Sequence, residues 1–184
     1  MIFTEATLKG AFIIDLEPAE DERGFFARSW CRREFSAHGL NANLAQCNIS
    51  GNRAKGTLRG MHYQVGPHAE AKLVRCIRGA IYDVMIDLRP DSDTFLQHVG
   101  CTLTEDNHRA VYIPEGFGHG FLTLTDASEV FYQMSQFHQP GAARGLRWDD
   151  PVLAISWPEP VTVISERDRN YPDFIPNQPI VEAP

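Results

Sequence analysis

An all-β domain, an antiparallel barrel or sandwich, is the fold this sequence predicts, and three observations carry that expectation. Short runs rich in Val, Ile, Phe and Tyr recur at roughly 8–12-residue spacing between turn residues. Helical patterning is nearly confined to Cys31–His38, two turns that end at Gly39. The glycine patterns of nucleotide-binding α/β folds are missing: no Gly-x-Gly-x-x-Gly follows a strand, and no phosphate loop occurs.

The elements follow in order. Ala11–Leu16 reads as a strand, and a polar turn from Glu17 to Gly24 feeds a second run, Phe25–Trp30. Ala45–Ser50 alternates, as does Leu58–Gln64. Lys72–Arg78 and Ala80–Arg89 read as two strands joined through a tight turn at Gly79. Further strands fit His98–Leu103, Ala110–Ile113, Gly120–Leu124 and Glu129–Ser135. The tail adds at most another short helix, and the proline-rich end after Tyr171 is expected to wrap or fray. A single domain over residues 1–184 is expected, with a C-terminal extension from about residue 160.

Composition bounds the function. Apolar residues are 43% and charged residues 22%, ordinary globular usage. A net charge of −7 argues against nonspecific nucleic-acid binding, but leaves room for a local basic pocket. No stretch approaches the roughly 18 apolar residues of a membrane helix, and the first residues lack the pattern of a signal peptide. A soluble, cytoplasmic protein is expected. Cys31, Cys47, Cys76 and Cys101 lie far apart with no Cys-x-x-Cys pair, so they read as small core thiols.

The chemistry concentrates in Gly56-Thr-Leu-Arg59-Gly60-Met-His62-Tyr-Gln64, with Lys72 ten residues after the histidine. A histidine can take a proton while two cations hold an anion, which suits carbon-acid chemistry on a phosphorylated substrate. Arg59 and His62 stand three apart on a strand and need not face one way; a bulge at Gly60 would align them. Tyr132 is a possible proton donor. A second motif, Pro114-Glu-Gly116-Phe-Gly-His119, resembles the second motif of cupins, where proline and glycine turn the chain between two jelly-roll strands and the histidine points inward. Metal-binding cupins add a His-x-His pair and a glutamate from a first motif. The corresponding Gly60-Met61-His62-Tyr63-Gln64 lacks the second histidine, so neither a metal nor another cofactor is expected.

Bland readings stand beside these. His62 and His119 could be hydrogen-bonded core histidines, Tyr132 a strand aromatic, and Lys72 and Arg59 solvated charges. Asp168, among Glu166, Arg167 and Arg169, could belong to a loop ion pair. His68, His98 and His108 read as surface residues.

Several blocks in order bring a family into view. They are Asp21-Glu-Arg23-Gly-Phe-Phe26, Gln46-x-Asn48-x-Ser50, Gly56 to Gln64, Lys72-Leu-Val, Gly79 to Arg89, Ile113 to Phe121, Arg147-Trp-Asp-Asp150-Pro151 and Ser165-Glu-Arg167-Asp168. Together they resemble dTDP-4-dehydrorhamnose 3,5-epimerases over nearly the whole chain. The resemblance implies an all-β, cupin-like jelly roll (double-stranded β-helix) with a few short helices, a homodimer, and no metal or other cofactor. It implies His62 as general base, Asp168 as its orienting carboxylate, Tyr132 as the acid on the opposite face and Lys72 beside the enolate oxygen. Arg23, Phe26, Arg28, Gln46, Asn48, Arg59, His119, His138 and Arg167 would contact the nucleotide sugar, with Arg59 on the diphosphate.

The chain departs from the family at three binding positions. Arg28 stands where a glutamate is usual, His138 where a second tyrosine is common, and the turn Gly141-Ala142-Ala143 lacks a customary glutamate. The proton-transfer groups are spared. The implied activity is inversion of C3, C5 or both in a dTDP-4-keto-6-deoxyhexose through an enolate, in deoxysugar or polysaccharide synthesis. Alternatives are single-site epimerisation of another nucleotide-linked 4-keto sugar, 4-keto sugar isomerisation, and noncatalytic sugar-nucleotide binding.

Overall fold

Alternating side chains sort the strands into two sheets that share one apolar interior. The structure, a computed structural model, describes residues 1–175. The first strands are β1 (Ile2–Glu5), β2 (Phe12–Asp15), β3 (Ala19–Asp21) and β4 (Gly24–Phe26), followed by helix α1 (Arg32–Ala37). Then come β5 (Gln46–Asn52), β6 (Thr57–Gln64), β7 (Lys72–Arg78), β8 (Ala80–Asp87), β9 (His98–Thr104) and β10 (Ala110–Ile113). The chain continues through β11 (Phe117–Thr123), β12 (Ser128–Met134), β13 (Ala143–Gly145), β14 (Val163–Ile164) and helix α2 (Glu166–Arg169).

One sheet has the order β1-β2-β10-β7-β12-β5; the other runs β13-β6-β11-β8-β9, with β14 joining β6 in parallel. From β5 to β8, and again from β10 to β13, successive strands alternate between the two sheets. That alternation is the double-stranded β-helix of a jelly roll, the expected fold class.

The connection at Gly79 differs from the expected hairpin. β7 and β8 lie in different sheets, so Gly79, with φ 73°, is a corner rather than a two-strand turn. A Cβ there would stand 2.5 Å from Thr125 Oγ1, which leaves room only for glycine. The reason is burial on both faces. Ile81 and Met85 of β8 face the intersheet core, while Val84 and Ile86 pack under Leu146, Leu153 and Trp157. The polar stretch 17–24 also differs: it carries β3 and the turn of the small hairpin β3–β4, whose second strand ends at Phe26, and residues 27–30 form no strand. β1, β13 and β14 were not anticipated. Helix α2 is the short helix expected in the tail, and residues 176–184 of the proline-rich end lie outside the described residues.

The interior carries three apolar layers. Val74, Cys76, Leu103, Val111, Phe117, Phe121 and Val130 fill the space between the sheets. Phe35 of α1 packs with Leu73, Ala110 and Tyr112 on the outer face of the first sheet. Cys76 and Cys101 are buried as expected, Cys31 is half-buried, and Cys47 is exposed.

A bulge does what the spacing of Arg59 and His62 required. His62 pairs with His119 and Arg59 with Phe121, so Gly60 and Met61 together face the single residue Gly120. The extra residue turns both side chains toward the same cavity. Gly60 has φ 132°, the Gly60–Met61 peptide is cis, and a Cβ at Gly60 would lie 2.5 Å from Gly120 Cα. Backbone cannot yield as a flexible side chain can. Gly60→Ala should therefore destabilise the fold by roughly 3 kcal/mol, read as a lower urea midpoint at unchanged slope. A midpoint within error of the unmodified protein would refute this close approach.

Candidate active site

A cavity of about 630 Å³ opens between the two sheets. β6 and β11 supply Arg59, His62 and His119 from one sheet; β5, β7 and β12 supply Asn48, Ser50, Lys72 and Tyr132 from the other. β14 and α2 close one side with Ile164, Ser165, Arg167 and Asp168. The protein carries net charge −7, yet Arg59, Lys72, Arg144 and Arg167 line this cavity. The acids lining it, Glu70 and Asp168, are each engaged by a neighbouring side chain. The field inside is therefore attractive to an anion.

His62 and Asp168, 106 positions apart, form the central pair. Ser165 caps α2, its Oγ accepting from Asp168 N–H at 3.1 Å, and this short turn aims the aspartate at β6. His62 Nε2 lies 2.7 Å from Asp168 Oδ1, and Gly60 N–H donates to Oδ2 at 3.3 Å. Burial works against the Asp168 charge, but the hydrogen bond and charge of His62 and the Gly60 N–H outweigh it. The carboxyl is held below its ordinary value, so it accepts and Nε2 donates. Nδ1 is left with its lone pair, and the half-exposed ring can act as a base. Glu166, Arg167 and Arg169 are exposed whereas Asp168 is buried, so Asp168 is not part of a surface ion pair.

Tyr132 stands on the facing sheet, its ring 6.2 Å from that of His119 and 6.4 Å from that of Phe121. Burial first, then the negative Asp83, push its phenol well above the ordinary tyrosine range, against the opposing Arg59 charge. It is therefore a protonated donor at neutral pH. His119 is buried and its Nε2 lies 2.8 Å from Asp83 Oδ2, so it is both a hydrogen-bonded core histidine and a cavity residue. Lys72 is buried, with Nζ 3.1 Å from Glu70 Oε1 and 3.4 Å from the His62 carbonyl. Arg59 Nε donates to Asn52 Oδ1 at 2.7 Å and Nη2 to the Gly51 carbonyl at 3.4 Å, and the exposed guanidinium lines the cavity.

Nine of the anticipated site residues thus line one cavity: His62, Tyr132, Asp168, Lys72, Asn48, Arg59, His119, His138 and Arg167. Four do not line it within this one chain. Arg23 and Phe26 sit on the exposed β3–β4 hairpin, where Arg23 Nε bonds Asp21 Oδ1 at 3.1 Å and Phe26 is 80% exposed. Arg28 pairs with Glu34 at 2.7 Å. Gln46 reaches the site only indirectly, its Oε1 accepting from the His138 N–H at 2.9 Å. Among the described residues the hairpin pairs with no other strand, and within one chain its side chains stay outside the cavity.

Four lining or supporting residues were missed: Ser50, Glu70, Asp83 and Arg144. Ser50 and Asp83 stood inside quoted blocks without roles, and strand alternation alone could have turned both inward. Among the described residues, Ser50 Oγ and Asp83 Oδ1 are the buried side-chain atoms without a hydrogen-bond partner. No three His, Cys, Asp or Glu side chains converge as a metal set among those residues, and no helix there is long and apolar enough to cross a membrane.

Comparison with known proteins extends the geometry. A family model described as dTDP-4-dehydrorhamnose 3,5-epimerase matches residues 5–175. A protein of that name from Methanothermobacter thermautotrophicus is 42% identical over 172 residues, covering 92% of each chain. A crystal structure of the Elizabethkingia anophelis protein of that name superposes with TM-score 0.92 at 37% identity, covering 95% of this chain and 96% of the other. The Bacillus anthracis structure, solved with TDP and pyrophosphate bound, gives TM-score 0.90 at 37% identity, covering 94% of this chain and 99% of the other.

Proposed function

The chain belongs to the dTDP-4-dehydrorhamnose 3,5-epimerase family and is an isomerase of nucleotide sugars, and from that premise we propose that it inverts C3, C5 or both in a dTDP-4-keto-6-deoxyhexose. One observation carries this reading: a histidine–carboxylate base and a protonated phenol stand on facing sheets of one cavity. Inversion at carbon needs a proton taken from one face and returned to the other, so groups on opposite walls suit it.

A hydrogen beside the C4 ketone is acidic because the carbanion spreads onto oxygen as an enolate. In this reading His62 Nδ1 takes the proton, and the Asp168 anion stabilises the imidazolium that forms. The Lys72 ammonium meets the oxygen where charge develops. Tyr132 gives its proton to the opposite face of the carbon and becomes a phenolate; the His62 imidazolium then releases its proton to solvent and the phenolate takes one up, which restores both groups. The same ketone activates C3 and C5, so one set of groups serves both. Arg59, with Arg167 nearby, takes the diphosphate, an anion that the cationic lining attracts. No metal or redox group is invoked, and chelation should leave the rate unchanged.

We take the enzyme to be a cytoplasmic homodimer. The exposure of Phe25, Phe26 and Ile49 supports a covered face, and a second copy is the route by which Arg23, Phe26 and Arg28 can meet substrate. Sedimentation should return twice 20.7 kDa; a monomer would remove those residues from the site.

The functional test is incubation with dTDP-4-keto-6-deoxyglucose in deuterated water, followed by mass and NMR at C3 and C5. Label at both carbons supports double epimerisation, and label at one supports the single-site form. Migration of the ketone marks an isomerase. Other nucleotide forms are run in parallel because His138 and Arg144 line the cavity. Tight binding with no exchange on any of them would leave a noncatalytic binding protein.

A further inference from the structure

We propose that Glu70 is a positioning residue that aims the Lys72 ammonium at the substrate's keto oxygen, an inference that rests on the epimerase reading above. An ammonium carries three N–H donors and no acceptor. On Lys72 two acceptors are already in place: Glu70 Oε1 at 3.1 Å and the His62 carbonyl at 3.4 Å. Two fixed acceptors leave the third N–H for the cavity. Without the carboxylate, the ammonium would lose the anionic partner that fixes its direction.

Burial makes this pair different from a surface ion pair. The Lys72 side chain is 10% exposed and that of Glu70 8%, so both charges are largely out of water. A buried ammonium stripped of its counter-ion is strongly disfavoured, and Glu70 is the acid in contact with it. The carboxylate is itself held. Gln64 Nε2 donates to Glu70 Oε2 at 3.2 Å and to the His68 carbonyl at 2.9 Å, while Gln64 Oε1 accepts from Gln139 N–H at 2.7 Å. Ala71 N–H is tied to Ser135 Oγ at 2.8 Å, fixing the backbone between Glu70 and Lys72. The acid is thus anchored from three segments: the end of β6, the start of β7 and the loop that carries His138. The arrangement gives Lys72 a fixed direction before substrate arrives, which is preorganisation of the enolate-stabilising charge.

The test compares Glu70→Gln and Glu70→Asp with the unmodified enzyme, measuring deuterium entry, KM, dTDP affinity and melting temperature. Glu70→Gln should slow deuterium entry roughly tenfold or more in the folded enzyme, since a misaimed group costs rate steeply, while KM and dTDP affinity change little; the melting temperature falls because the buried ammonium loses its counter-ion. Glu70→Asp keeps a carboxylate at shorter reach and should fall between. Should Glu70→Gln fail to fold, slowed entry in a normally melting Glu70→Asp carries the same conclusion. An unmodified rate in Glu70→Gln overturns the proposal, as does a loss that follows weakened dTDP affinity or a raised KM rather than a lowered kcat. Absence of exchange in the unmodified enzyme on every nucleotide form would instead sink the epimerase reading, and this proposal with it.

Discussion

Replacing His62 by Asn is expected to abolish deuterium entry at C3 and C5, a loss of roughly a thousandfold or more, with dTDP affinity within about twofold. Asparagine is uncharged and smaller than histidine, so it fits the wall of the cavity without displacing its neighbours. What vanishes is the basic lone pair on Nδ1. His62 is the histidine of this cavity paired to a carboxylate on one nitrogen and half-exposed to the cavity, whereas His119 is buried against Asp83. Asp168→Asn should also lose about a hundredfold or more, because an amide accepts or donates indifferently and no longer secures the tautomer. Normal exchange by the His62 variant would remove it as the base, whatever its neighbours do.

Tyr132→Phe should separate two rates that move together in the unmodified enzyme. Abstraction and return on the His62 face need no phenol, so deuterium entry should persist at a substantial fraction. Inversion needs the second proton source and should fall by roughly 10²–10⁴-fold. The ring remains packed against His119 and Phe121, so the change isolates the hydroxyl. Burial and the Asp83 charge raise the phenol's pKa, so the donor stays protonated at neutral pH and above. Equal loss of exchange and inversion would mean that Tyr132 acts in abstraction or binding rather than as the opposite-face acid.

Much of this was legible in the sequence. Runs such as 72–78 and 110–113 carry enough β-branched and aromatic residues to mark strands within a residue of their observed ends. The motif around His119 marked a corner between strands, and Gly116 makes that corner with φ 80°. Sheet membership was not legible, because β8 is apolar on both faces and alternation then points nowhere. Glu70 was hidden for another reason. A glutamate in a short loop looks solvated until folding brings Lys72 and Gln64 around it. The hairpin residues 23 and 26 sat in a quoted block, but a block cannot say which chain's cavity it serves.

That the base hangs from one sheet, and the acid and the ammonium from the other, has a consequence for how activity appears during refolding. Neither half of the sandwich holds a working subset, so no partly assembled intermediate should turn over substrate. Catalysis then serves as a late clock for sheet docking. After dilution from urea, the return of activity should trail the far-ultraviolet signal of strand formation and coincide with burial of the interior aromatics.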